Sequence, residues 1–125
     1  LITNGIKVSV KTRYNGTAYN YNKLHHTFSY YITIENTTKD SVQLLERRWE
    51  ISDALNHKEI VEGHGVVGQT PVIASEEFYT YKSHCLLISS YGSMQGSFKM
   101  MNLKTESLIT VQVPNFQLTA PSLLN

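Results

Sequence analysis

The chain has 125 residues, a length typical of one folded domain and too short for two separate hydrophobic cores. Hydrophobic residues make up 41% of it, which excludes a disordered chain, and 8 Tyr and 4 Phe favour strands over helices. Lys and Arg total 11 and Asp and Glu total 10, so the net charge of +1 lacks the basic excess of a nucleic-acid-binding protein. We therefore predict a single domain over residues 1–125 with no nucleic-acid partner.

The sequence carries none of the usual signals for a membrane or for secretion. No stretch approaches the roughly 20 consecutive apolar residues that cross a bilayer, and the first residues lack the basic start and apolar run of a secretory signal. Cys85 is the single cysteine, whereas secreted domains of this size often contain several. These features predict a soluble cytoplasmic protein that makes no contact with a membrane.

The first third of the chain alternates apolar and polar residues in two segments. Residues 6–11 and 28–35 both follow the period of two that a strand with one buried face requires. Between them, residues 14–26 are rich in Asn, Tyr and Gly without strand or helix periodicity, and we predict a loop there. Residues 36–40 supply turn residues after the second strand.

The third strand changes its buried parity. Val42 and Leu44 start on one parity, whereas Leu45 and Trp49 continue on the other. One inserted residue produces such a switch, so we predict a β-bulge within residues 44–46. Further short strands are predicted at residues 60–61, 71–73, 78–81, 86–88, 98–103 and 109–113.

No long segment has the three- and four-residue apolar spacing of an amphipathic helix that could cover a sheet. Two sheets must therefore cover each other. The seven or eight short strands predict an all-β fold, an antiparallel β-sandwich.

Gly63, Gly65 and Gly68 have the spacing of a dinucleotide-binding fingerprint, in which the glycines lead into a helix. Here Pro71 and β-branched residues follow, which favour extended chain and exclude that fold. The favoured interpretation is a tight crossover between sheets in which the glycines adopt positive φ and a Cβ would clash. The alternative is an anion nest formed by backbone amides, with Gly63, His64, Gly65 and Gly68 as the candidate residues.

Arg47 and Trp49 are two residues apart on a strand, so their side chains share a face. The favoured interpretation is a core tryptophan beside an arginine that reaches the rim of the sheet. The alternative is an interaction surface, since Trp and Arg are enriched at binding hot spots.

Nothing in the sequence predicts a catalytic site, a bound metal or a cofactor. The histidines at His25 and His26 are adjacent, as are His84 and Cys85, and neighbouring strand residues point to opposite faces. No nucleophile motif is present, and Cys85 precedes an apolar run as a small core residue does.

Several segments together resemble the signature of the ApaG family. They are residues 42–49 (VQLLERRW), 61–71 (VEGHGVVGQTP), 81–83 (YKS), 92–96 (GSMQG) and 113–118 (VPNFQL), and they span nearly the whole chain. The resemblance implies an immunoglobulin-like or fibronectin type III-like β-sandwich. Residues 74–75 are Ala-Ser where the family usually has a Pro-Gly turn, so we expect a turn of different shape there.

The resemblance to ApaG also implies a class of function. Bacterial members are stand-alone proteins associated with cobalt resistance and magnesium efflux, and eukaryotic relatives are domains of F-box proteins and of a polymerase-delta-interacting protein. This implies a non-enzymatic module that binds an unidentified protein partner or forms a homodimer. The alternative it implies is a small-anion binder that takes pyrophosphate, a nucleotide or another phosphate-containing small molecule at its glycine motif, which Gly63, Gly65 and Gly68 match.

Overall fold

The computed structural model describes residues 1–121, which form nine strands and no helix. The strands are β1 (Ile2–Thr3), β2 (Ile6–Asn20), β3 (Lys23–Asn36), β4 (Val42–Asp53), β5 (Glu59–His64), β6 (Val72–Ile73), β7 (Phe78–Leu87), β8 (Tyr91–Asn102) and β9 (Leu108–Thr119). One sheet has the order β1-β2-β3-β7 and the other β5-β4-β8-β9, with β6 paired to β4. All pairings are antiparallel, so the predicted all-β sandwich is confirmed.

The core lies between the inner faces of the two sheets. Trp49 is 3% exposed, and its ring centroid lies 5.6 Å from that of Tyr30, 6.1 Å from Phe98 and 5.9 Å from Phe116. These rings meet at steep angles, the arrangement that aromatic pairs favour. The prediction that Trp49 is a core residue is confirmed.

The predicted loop at residues 14–26 is wrong, because this segment is a β-hairpin. Strand β2 runs to Asn20 and β3 starts at Lys23, and the two central residues, Tyr21 and Asn22, have φ of 51° and 61°. Positive φ at both positions is the requirement of a type I′ hairpin turn. The end of the hairpin extends past the core, so neither face is buried and the alternation that marks a strand is missing.

The predicted bulge in β4 is confirmed. The pairing of β4 with β8 shifts between Leu44–Met100 and Glu46–Lys99, and Leu44 and Trp49 are both buried although they differ in parity. The separate strands predicted at residues 78–81 and 86–88 are wrong, since both belong to β7. Between them, Lys82 and His84 occupy the outer face of one continuous strand.

The two sides of the sandwich differ. On one side the sheets are tied together, because the amide of Gln112 in β9 donates to the Thr3 hydroxyl at 3.3 Å and the Asn4 side chain donates to the Thr110 carbonyl at 3.2 Å. On the other side β5 and β7 are the edge strands, each paired along one side within residues 1–121. We call this the open side, and two cavities between the sheets lie along it.

Candidate functional site

Gly63 makes room for the Arg47 side chain. The two residues are directly opposite in the β4–β5 ladder, where side chains share a face. A Cβ on Gly63 would lie 2.6 Å from the guanidinium carbon of Arg47, so the guanidinium lies across this glycine. From there Nη1 donates to the carbonyls of His64 at 3.2 Å and Gly65 at 3.0 Å. These contacts fix the guanidinium at the end of β5.

Gly65 and Gly68 have the predicted positive φ, with values of 67° and 75°, whereas Gly63 does not. The loop joins β5 to β6, which both pair with β4, so it lies within one sheet and the predicted crossover between sheets is wrong. A Cβ on Gly65 would lie 2.2 Å from the carbonyl oxygen of Gln69, whereas a Cβ on Gly68 would enter open space. Val66 and Gln69 exchange two backbone hydrogen bonds of 2.8 and 2.9 Å around Val67 and Gly68, which closes a two-residue turn. A substitution at Gly65 therefore disrupts this turn whether or not the loop binds a ligand.

The loop uses part of its amide groups internally. The Gly65 amide donates to the Leu45 carbonyl at 2.7 Å, and the Val66 and Gln69 amides are paired in the turn. His64 is exposed. Anion binding by Gly63, His64, Gly65 and Gly68 stays a prediction.

Val67→Asn should stabilise the protein. Val67 is 61% exposed and has a φ of 47°, a conformation that strains a β-branched residue. Asn-Gly is the sequence that a type I′ turn favours, so we expect the free energy of unfolding to rise by about 1 kcal/mol in chemical denaturation. Val72 is also exposed but lies in strand β6, so Val72→Asn is the control and should show no gain in the free energy of unfolding. A Val67→Asn protein no more stable than wild type would contradict the strain argument.

A cavity of about 300 Å³ opens on the open side between the two sheets. Tyr30 of β3 and Ser83 of β7 line it from one sheet, and they are directly opposite in the β3–β7 ladder. Tyr81 reaches it from the same face of β7, and Arg47 and Trp49 line it from β4. The loop of residues 63–68, which we call the glycine loop, forms part of its rim. A second groove of about 480 Å³ continues from it between β5 and β7.

Both tyrosines of the cavity are buried. Burial raises the pKa of Tyr30, an effect that a hydrogen bond with Ser83 partly offsets. Burial also raises the pKa of Tyr81 far above its usual value, and the positive charge of Arg47 only partly opposes this. Both phenols are therefore protonated at neutral pH. Within residues 1–121 the Tyr81 hydroxyl is fully buried and has no hydrogen-bond partner.

Comparison with known proteins identifies the family. Residues 16–102 match the model of the ApaG domain, and these residues include β3 to β8 and the cavity. The chain belongs to the ApaG family. Protein ApaG from Vibrio cholerae serotype O1 is 42% identical over 120 residues, which cover 96% of this chain and 94% of the relative. Protein ApaG from Shewanella sediminis is 40% identical over 124 residues, which cover 99% and 98%.

Solved structures agree with ApaG membership and with the fold. The X-ray structure of a Northeast Structural Genomics Consortium target matches with a TM-score of 0.90 and 35% sequence identity, covering 97% of this chain and 91% of that chain. The crystal structure of a protein described as ApaA, from Bordetella pertussis, matches with a TM-score of 0.84 and 31% identity, covering 93% and 94%. Residues 1–121 of this ApaG chain contain no helix that could span a membrane.

Cys85 of this ApaG chain does not line the cavity. Cys85 is 6% exposed, and burial, reinforced by the charges of Glu59 and Asp53, raises the pKa of its thiol to about 12. The thiol is thus protonated at neutral pH, as expected for the core residue predicted from the sequence. Among residues 1–121, no three His, Cys, Asp or Glu side chains are grouped so as to hold a metal ion.

Arg47 and Trp49 share a face, as predicted, whereas the residues opposite them in the cavity were not predicted from the sequence. Tyr30 was part of an apolar alternation, and Tyr81 and Ser83 contributed only to the family resemblance. A signal was present, because Tyr81 and Ser83 are two residues apart and so share the inner face of β7. The interaction role predicted for Arg47 and Trp49 stays a prediction, with the Trp49 indole buried and Arg47 half-buried.

Proposed function

We propose that this ApaG chain is a non-enzymatic binding module that contacts a partner protein through the open side of its sandwich. The observation that carries the proposal is that both edge strands on this side, β5 and β7, border one continuous groove. Edge strands present backbone groups to which an extended segment of another protein can pair. The groove between them offers side-chain pockets in addition.

Exposed apolar residues on the elements around the groove also support the open side as the contact surface. Leu55 in the turn after β4 is 73% exposed, Ile60 in β5 is 51% exposed and Leu86 in β7 is 46% exposed. Ile60 lies between Glu59 and Val61, which line the groove, so its side chain is on the outer face of β5, beside the groove. Exposed apolar residues beside a groove are typical of protein interfaces. Arg47, at the mouth of the cavity, belongs to a residue type enriched at hot spots.

The test is affinity capture from a lysate of the source cell with three forms of the chain, followed by mass spectrometry. Changing Ile60 and Leu86 together to Lys places two charges on β5 and β7, the edge strands of the open side, whereas Leu108→Lys places one on β9, at the opposite edge of the sheet that contains β5. We expect a protein that wild type and Leu108→Lys capture and the double variant loses. Equal capture by all three forms, or none by any, would contradict the proposal. If the captured protein is the chain itself, the partner is a second copy.

The ApaG family is associated with cobalt resistance and magnesium efflux. In this proposal the chain affects these metal phenotypes indirectly, through its partner protein. In a deletion strain, we expect Leu108→Lys to restore cobalt tolerance and the Ile60 and Leu86 double variant to fail. If both forms restored cobalt tolerance, the metal phenotype would not depend on the open side.

The second candidate function is small-anion binding at the Gly63–Gly68 loop. It is favoured by the position of this loop on the rim of a cavity that contains the Arg47 guanidinium. Calorimetry with pyrophosphate tests it, and the few amides available predict an affinity near millimolar, about −4 kcal/mol. Gly68→Ala is the milder variant, because its methyl group enters open space and only the φ of 75° strains it, whereas Gly65→Val also clashes with the Gln69 carbonyl. Absence of heat from wild type would end this candidate.

A further inference from the structure

We propose that the cavity between the sheets binds an oxyanion, a carboxylate or phosphate group, through Arg47, Tyr81 and Ser83. This site goes beyond the proposed partner contact and does not depend on it. It also differs from the glycine loop, which contributes only to its rim.

The first observation is the Tyr81 hydroxyl. Tyr81 is 8% exposed, its oxygen is inaccessible to solvent, and within residues 1–121 it makes no hydrogen bond. Folded proteins rarely leave a buried hydroxyl without a partner, because the group has lost its contacts with water. Burial raises its pKa, so at neutral pH it carries a proton to donate. An acceptor atom in the cavity would satisfy it.

The second observation is the state of Arg47. Its two hydrogen bonds both use Nη1, and the part of the chain described supplies no acceptor for Nε or Nη2. The carbonyls of His64 and Gly65 and the absence of a Cβ on Gly63 hold the guanidinium in place before any ligand arrives. A fixed guanidinium with unused donors is suited to bidentate recognition of a carboxylate or phosphate.

The third observation is the character of the whole lining. Tyr30 and Ser83 add hydroxyl groups, Arg47 adds a permanent positive charge, and no carboxylate lines this cavity. The carboxylates of Asp53 and Glu59 line the adjoining groove instead. A cation is therefore repelled and an anion attracted. Aromatic walls reduce the local dielectric, which strengthens hydrogen bonds to a bound charge.

The experiment measures the thermal midpoint and the affinity of the full chain with sodium acetate and, separately, sodium phosphate. Sodium chloride at equal ionic strength is the reference. Tyr81→Phe removes the hydroxyl and keeps the ring, and Tyr79→Phe makes the same change at a half-buried tyrosine outside the cavity lining. We expect at least one anion to stabilise wild type and Tyr79→Phe, and Tyr81→Phe to bind it about tenfold more weakly.

Tyr81→Phe should also be at least as stable as wild type without ligand, because it removes an unsatisfied buried hydroxyl, so loss of binding is distinguishable from loss of fold. The stronger of the acetate and phosphate effects identifies the anion class. Binding by Tyr81→Phe equal to wild type would place the anion elsewhere, as at the glycine loop, and overturn the proposal. No stabilisation of wild type beyond chloride would overturn it as well. Neither failure bears on the partner contact, which is measured by capture.

Discussion

Trp49→Ala is expected to lower the free energy of unfolding by about 3–5 kcal/mol, the range for loss of a fully enclosed large aromatic side chain. Trp49 packs against Tyr30, Phe98 and Phe116, so its removal leaves a cavity bounded by three large rings from both sheets. These rings are held by their own strands and cannot collapse into the space. Urea unfolding followed by circular dichroism is the suitable measurement, because the variant lacks the single tryptophan that fluorescence would report.

Trp49→Phe is the matched control, since it keeps an aromatic ring in the same place. We expect it to cost about 1–2 kcal/mol, less than the alanine effect, because a smaller void remains. A Trp49→Ala protein as stable as wild type would show that the indole is not part of the core.

Asn36→Ala is the second change with a large expected effect, a loss of about 3 kcal/mol in the free energy of unfolding. Asn36 is fully buried at the end of β3. Its side-chain amide donates to the carbonyls of Asp40 and Ile73, both at 2.9 Å, and its oxygen accepts from the Thr38 amide at 3.0 Å and the Thr38 hydroxyl at 2.6 Å. Alanine would leave the buried Ile73 carbonyl at β6 and the partly buried groups of Thr38 and Asp40 in the turn to β4 without this partner.

Thr37→Ala provides the comparison for this change. Thr37 is the exposed neighbour, and its hydroxyl donates to the Gly5 carbonyl at 2.7 Å. Because water can replace an exposed hydrogen bond, we expect its loss to cost about 1 kcal/mol or less by the same denaturation measurement. Equal effects of the two variants would contradict the view that Asn36 holds this end of the sandwich together.

Much of the fold was predictable because strands with one buried face reveal themselves by period two. Residues 6–11 and 28–35 alternate regularly between apolar and polar residues. The apolar residues of this pattern, such as Val8 and Ile32, are fully buried, as predicted. The bulge in β4 was predictable for a related reason, since an inserted residue must reverse parity to keep both Leu44 and Trp49 inside. The hairpin at residues 14–26 was missed because its end has no buried face, and backbone pairing with turn geometry is all that defines it.

The sequence by itself determined the fold class, the core position of Trp49 and the shared face of Arg47 and Trp49, because these follow from local periodicity. Only the tertiary structure decided what Arg47 meets. Tyr30, Tyr81 and Ser83 come from β3 and β7 in one sheet, whereas Arg47 comes from β4 in the other. Whether these residues meet depends on how the two sheets stack and on which side stays open. The periodicity of a sequence identifies the buried face of each strand, but it does not show which strand of the other sheet that face contacts.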